Sequence, residues 1–431
     1  MPDIGRRIAG ARRRRGMSRK VLADLVGRSQ EWLRLIETGQ RQLDSIQIAN
    51  RLAQILNLEG FASDLGASST AYGDVYPKNE QITDAIRLAM MDAMPVSAFV
   101  DRSAWIESAE RLEADVDEAW RRWLAGHNRY RETLQLLPGL ARGATWCLQG
   151  IRSGRVGPIN SAMLAVYLLR TVMSRIGEET LAWLAADRAM NAAVSAGGAS
   201  LLPSAWHVCA CYLRQGYCQA AIQFALAGAD NLHVVTRDKH DALVLCGALQ
   251  LLAAEAAAGM LDAHRAHELL TDVKNVADAA GDDSHAYMIP FGPTEVGISA
   301  VQIAVRLGRS GEAIKLAGQV DIPDNYPPDW QVRYYIPLAN LYAQRKEDAA
   351  AVFALSKAAA VSPEDIRYDY LSRDTLVRLL SRNNLTVRRE VLRLAQLAGI
   401  LDGAGAAGRV AGRSSTAAAP NRIGSRHENE P

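Results

Sequence analysis

Met17-Ser18-Arg19-Lys20-Val21-Leu22-Ala23-Asp24-Leu25-Val26-Gly27-Arg28-Ser29-Gln30-Glu31-Trp32-Leu33-Arg34-Leu35-Ile36-Glu37-Thr38-Gly39 decides how this 431-residue chain is read. Ser18 is a good N-cap for a helix over 18–26, and Gly27 supplies the turn. A second helix runs over 29–38 and Gly39 ends it. Leu22, Leu25, Leu33 and Ile36 predict a small core between the two. Ile8, from a helix over 4–14, and Leu52, from one starting near Asp44, complete it. Ala23 stands where the two helices must cross closely. Polar residues fill most outward positions of the second helix.

Charge supports a polyanion-binding role for this head. Residues 1–60 hold twelve Lys/Arg against six Asp/Glu, a net +6. Residues 61–401 carry −5 and residues 402–431 carry +1. A basic head on a mildly acidic body places phosphate affinity in the first 60 residues, through release of counterions.

The rest of the chain reads as helix. It is 49% hydrophobic but only 6% aromatic, and its many Ala and Leu residues favour helix over strand. Residues 61–80 have the composition of a linker. From 81 to 401 the pattern is helical, with no convincing strand pairs. An introductory region covers 82–94, 106–124 and 130–137. Five helix–turn–helix pairs follow, with turns near Gly177, Gly216, Gly259, Gly308 and Lys346. That period marks an α-solenoid. Two units resemble the tetratricopeptide pattern: Tyr212, Gly216 and Ala221 in one, and Tyr342, Ala351, Ala358 and Pro363 in the other, with Lys346 in place of the turn Gly. Residues 402–431, rich in Gly, Ala, Ser and Arg, read as a disordered tail. The expected class is therefore all-α: a head of short helices followed by an α-solenoid of tetratricopeptide-like helix pairs.

The head resembles the Cro/phage-repressor (XRE) family of helix-turn-helix regulators. The residues that carry the likeness are Arg12, Ser18, Leu22-Ala23, Gly27 and Ile36-Glu37-Thr38-Gly39. The resemblance implies a five-helix-type, lambda-repressor-like domain over 1–60 whose recognition helix enters the major groove of double-stranded DNA. By position, Gln30 would pair with adenine, and Glu31 and Arg34 would read cytosine and guanine. Arg19, Ser29, Thr38 and Arg41 would hold phosphates. Arg12 and Glu37 would form a structural pair. The pattern is broken at Arg28, where an apolar residue is usual, and at Trp32 and Leu35, often polar. Trp32 is read two ways, as a contact to thymine methyls or the sugar backbone, or as packing on a neighbour. The other arginines of the Arg12–Arg15 run are read equally as solvated or phosphate-bound.

The whole arrangement resembles large regulators common in actinomycetes, with Phe291-Gly292-Pro293-Thr294 as a recurrent block. The habits of the helix-turn-helix motif imply a homodimer on an inverted repeat, and likeness to Gram-positive peptide-sensing regulators implies a peptide or small-molecule effector in the concave face of the body. Trp206, Tyr212, Tyr287, Phe291, Tyr334 and Tyr335 are candidates to line that groove, with ordinary inter-helix packing as the favoured reading of them. A protein-interaction scaffold, with the solenoid as the main binding surface, is the alternative.

Enzymatic readings find no support in the pattern. His264, His267 and Glu268 lack the spacing of a metalloprotease helix, and no phosphate loop or nucleophile elbow occurs. No cofactor or metal is expected. Cys147, Cys209, Cys211, Cys218 and Cys246 show no paired spacing and read as buried small hydrophobes. With no apolar run of about 18 residues and no secretory leader, the expected location is the cytoplasm.

Overall fold

The computed structural model describes residues 4–26, 28–40, 52, 55–56, 80–91, 103–152, 158–230, 239–323 and 325–401. Gly27, Arg41, the start of the fourth head helix near Asp44, most of the 61–80 linker and the 402–431 tail lie outside them. Glu80 already begins a helix.

The head contains α1 (Ile4–Arg14), α2 (Arg19–Leu25) and α3 (Gln30–Glu37). Ser18 and Ser29 cap α2 and α3, their hydroxyls accepting from the Val21 and Trp32 amides at 3.1 and 3.0 Å. Each such cap contributes about 1 kcal/mol. Ile8, Leu22, Ala23, Val26, Trp32, Leu33, Ile36, Leu52 and Leu56 form the core. The expectation for Leu25 is corrected: it is exposed, and Val26 takes the inner position. Leu22 and Val26 stand one helical turn apart on the same face, so Leu25 turns outward. A Cβ at Gly5 would stand 2.3 Å from the Ile36 carbonyl oxygen, so only glycine lets α1 cross the end of α3.

Among the described residues the body is helical apart from one hairpin. Its introductory helices are α4 (Glu80–Met91), α5 (Ser103–Glu110), α6 (Leu112–Ala125) and α7 (Arg129–Arg152). Pairs follow: α8 (Ile159–Arg175) with α9 (Glu179–Ala196), and α10 (Leu201–Arg214) with α11 (Cys218–Asp230). Next come α12 (Lys239–Gly259) with α13 (Ala263–Ala280), α14 (Pro293–Arg306) with α15 (Ser310–Ala317), and α16 (Pro328–Gln344) with α17 (Asp348–Val361). Three helices close the described chain: α18 (Pro363–Tyr368), α19 (Tyr370–Arg382) and α20 (Arg388–Leu397). The first helix of each pair also packs on the first of the next, α8 on α10 and onward to α16. Small residues permit these approaches: Ala182, Ala185 and Ala189 on α9 and Ala253, Ala256 and Ala257 on α12 are all buried. The α12 helix is long and apolar enough to cross a membrane, but 78% of its apolar window is buried inside the protein.

Four of the five expected turns pivot on a left-handed residue: Gly177, Gly216, Gly308 and Lys346 have φ between 64° and 83°. At the third turn the pivot is Leu261 (φ 63°), not Gly259. The absence of strand pairs is also corrected. Ser284–Ala286 (β1) and Ile289–Phe291 (β2) form an antiparallel hairpin with Ala286 opposite Ile289. Its turn residues Tyr287 and Met288 both have positive φ, 51° and 61°. This two-residue pattern matches strand twist but normally uses Asn-Gly, so the sequence gives no hairpin signal.

The two ends of the row meet. Arg129, fully buried at the start of α7, donates to Asp329 of α16 at 2.8 Å and to Asp365 of α18 at 2.5 Å. Arg175 at the end of α8 reaches the same Asp329 at 3.0 Å. Tyr130 adds a hydrogen bond to Asp365 at 2.8 Å. Two cations therefore face two carboxylates in one buried network, which offsets the cost of desolvating any one of them.

Candidate nucleic-acid interface

Helix α3 presents one polar edge and buries the other. Gln30, its first residue, and Glu31 are exposed, whereas Trp32, Leu33, Ile36 and Glu37 are buried. Arg34 lies half-exposed one turn after Glu31 and grips it with two bonds, Nε to Oε2 at 2.8 Å and Nη2 to Oε1 at 2.7 Å. The expected base-reading residues thus share an edge, but two of them neutralise one another in the unbound protein. Trp32 settles as packing: it is fully buried in the head core.

The expected phosphate contacts divide. Ser29 Oγ is held as the cap of α3, with its own hydroxyl hydrogen left to donate. Thr38 donates back to the Arg34 carbonyl at 2.9 Å from an exposed position. Arg19 is half-exposed and donates Nε to Glu37 at 2.7 Å. Arg41 lies outside the described residues. Arg13, Arg14 and Arg15 are exposed, and Arg15 donates to the Ile55 carbonyl at 2.6 Å.

The Arg12–Glu37 pair is made as two bonds, at 2.5 and 3.1 Å, and Arg12 also donates to the Met17 carbonyl at 2.8 Å. Glu37 therefore receives Arg12 and Arg19 together, locking the C-terminal end of α3 to α1 and α2. Burial raises its carboxyl, but the bonds from Arg12 and then Arg19 outweigh this and hold it below its ordinary pKa.

Sequence reasoning missed what Arg28 does. Its Nη1 donates to Cys218 Sγ at 2.7 Å and to the Gly216 carbonyl at 3.4 Å, and the guanidinium lies 5.9 Å from the Trp32 ring. Leu261 of the body packs against the head core. The turn between α10 and α11 and the turn after α12 thus seat the head just before its exposed helix. The signal was the cation at a position usually apolar.

The candidate groove aromatics divide between two core clusters: Trp206, Tyr212, Tyr287 and Phe291 belong to or pack against one, Tyr334 and Tyr335 to another. Phe291 is fully buried against Gly247 of α12, and Tyr334 is buried with its hydroxyl on the Ala317 carbonyl at 2.8 Å. Tyr212 meets Trp183, Tyr217 and Phe224 edge-on. Trp206 and Tyr287 remain half-buried, and Tyr335 stacks edge-on against Tyr334. The His267 ring meets the Ala263 carbonyl and Glu312. Among the described residues no cluster of His, Cys, Asp or Glu is placed to hold a metal ion. Cys147, Cys209, Cys211 and Cys218 are buried thiols and Cys246 is half-buried.

Comparison with known proteins bears on the head. A family described as a helix-turn-helix domain matches residues 3–61. No curated protein and no solved structure matches the chain. The N-terminal unit is therefore a helix-turn-helix domain, a fold whose use is DNA binding and regulation.

Proposed function

We propose that this protein is a sequence-specific transcriptional regulator of the Cro-repressor type. It acts in the cytoplasm as a homodimer on an inverted repeat, without catalytic activity of its own. The observation that carries the reading is the polar edge of α3: Gln30 and Glu31 exposed and Arg34 half-exposed on a helix that its cap, core and Glu37 lock hold in place. Preorganised side chains on a rigid helix are what base recognition needs. The basic charge of residues 1–60 supports it. The body is read as a tetratricopeptide-like solenoid for dimerisation and effector sensing, supported by its row of helix pairs and by the Arg28 contact that joins it to the head.

Selection of random duplex DNA by the full-length protein at near-physiological salt tests this. Enrichment of a pseudo-palindrome with half-sites about one turn apart is expected. Failure to enrich any sequence, with residues 1–62 alone failing as well, overturns sequence reading by this head.

A further inference from the structure

The wall formed where α8 packs on α10 holds buried polar atoms without a partner. Tyr167, Arg170 and Ser174 follow one another at helical spacing on α8; Ser204, His207 and Cys211 do so on α10, and all six are buried. Tyr167 is satisfied, sharing a hydrogen bond with Ser204 Oγ at 2.8 Å. Neither ring nitrogen of His207 has a partner, nor has Arg170 Nε or Ser174 Oγ.

Arg170 forms no ion pair among the described residues. The Cys211 thiol is its polar neighbour, and the carboxylate of Glu179, whose charge it feels, is held by Arg214 at 2.7 Å. Burial first, and the Arg170 charge second, push the His207 pKa well below its ordinary value. Its imidazole is thus neutral and carries one N–H. The Cys211 thiol accepts from the Arg170 guanidinium, but Arg170 Nε and both His207 ring nitrogens stay buried without a partner, an arrangement a stable interior avoids.

The surroundings are flat and aromatic. His207 stacks on Tyr167 with ring centroids 4.3 Å apart, and Trp206 meets His207 edge-on at 5.1 Å. Arg170 lies over the Trp206 ring at 5.2 Å, and Trp206 is half-exposed, so the stack reaches the protein surface at that ring. The hairpin tip residues Tyr287 and Met288 pack against the same core cluster that contains Tyr167.

We propose that this wall is a binding site for a small organic anion, a carboxylate on a flat apolar body, with Arg170 and His207 donating to the carboxylate and Trp206 forming the apolar wall. The proposal names the ligand chemistry of the sensing module and rests on that reading of the body. The end of α10 also carries the turn that holds Arg28, so occupancy of the wall has a direct route to the head.

The test uses the full-length protein with four probes: benzoate and its neutral isostere benzamide, and N-acetylphenylalanine and its amide. The second pair represents a peptide C-terminus, the first a free aromatic acid. One or both carboxylates are expected to raise the Tm by about 2–4 °C at saturation and to shift tryptophan emission, while the matching amide does neither. Arg170→Met is expected to melt no lower than wild type and to lose the response. Arg170→Lys, which keeps the charge, is expected to retain a weaker one. The proposal is overturned if neither carboxylate is distinguished from its amide on the wild-type protein. It is also overturned if Arg170→Met responds as wild type, or melts lower, which would make the guanidinium a structural brace. Carboxylate binding that leaves operator affinity unchanged would keep the site and remove its sensing role.

Discussion

Arg28 Nη1 donates to Cys218 Sγ across 2.7 Å, joining the residue just before the α3 cap to the first residue of α11. With this contact made, Gln30 and Glu31 remain exposed, so the body orients the head without covering its reading edge. In the proposed dimer that orientation sets the distance between the two α3 helices. Arg28→Ala should leave the preferred half-site unchanged and broaden the tolerated half-site spacing, as read by selection from libraries of varied spacing. Unchanged spacing selectivity would show that the contact does not orient the head.

Glu31 holds both edges of the Arg34 guanidinium before DNA arrives. Glu31→Ala removes a negative charge from the reading edge and frees that fork. Binding to all duplexes should tighten, and discrimination at the base pair facing Glu31 should weaken. Arg34→Ala should instead weaken cognate binding about ten- to a hundredfold and relax a single position. Fluorescence anisotropy on matched and single-mismatch duplexes separates the two outcomes.

Glu37 is the shared acceptor of Arg12 and Arg19, and two of the three are buried. Glu37→Ala leaves the Arg12 guanidinium buried without its carboxylate, a change that costs about 3–5 kcal/mol. Chemical denaturation of the full-length protein should show an early transition for the head while the body still unfolds late. A single unshifted transition would mean that the lock contributes little.

Asp329 gives the body an acid limit. Burial raises its carboxyl, but Arg175 and Arg129 outweigh that and hold it at about 2, below the ordinary 3.8. A lowered folded pKa contributes stability that is complete above the ordinary value and is lost as pH falls toward the folded one. Melting of the body should therefore stay level from pH 7 to 5 on this account and fall between about pH 4 and 2. The loss from this group amounts to about 2 kcal/mol. Asp329→Asn should start less stable and show a shallower fall over that interval.

How much of this was legible depends on how far each cause lies along the chain. The Ser18 cap and the turn pivots Gly177, Gly216 and Gly308 are local chemistry, and the sequence displays them. The Arg12–Glu37 pair, 25 residues apart, is implied only by the family resemblance, which also makes Ser29 a phosphate contact rather than the cap it is. Leu25 and Val26 were exchanged because adjacent positions share a helical pattern until the crossing partner is known. Arg28 stood out as irregular, but its partners Gly216 and Cys218 lie 188 and 190 residues away. Phe291 and Trp206 look alike in sequence. Only the tertiary arrangement puts one against Gly247 in the core and the other half-exposed beside Arg170. The hairpin escaped because Tyr287 and Met288 occupy positive φ without the residue types that advertise it.

Lys346 occupies a place where its four counterparts differ in kind. Gly177, Gly216 and Gly308 take the left-handed conformation without a side chain, whereas Lys346 at φ 64° and Leu261 at φ 63° hold it against the clash of their Cβ atoms. Leu261 is compensated, since its side chain packs on the head core. Lys346 is exposed and gains no such packing. Its backbone amide still closes the end of α16, donating to the Ala343 carbonyl at 3.2 Å, so the conformation is imposed by the turn rather than by the lysine. Lys346→Gly should therefore stabilise the body by about 0.5–1 kcal/mol, the relief of a left-handed side chain less the added freedom of the unfolded chain. Leu261→Gly should do the reverse, because it removes an apolar contact between body and head. Urea denaturation of the two variants beside wild type reads both signs. A Lys346→Gly protein no more stable than wild type would mean that this turn carries no strain.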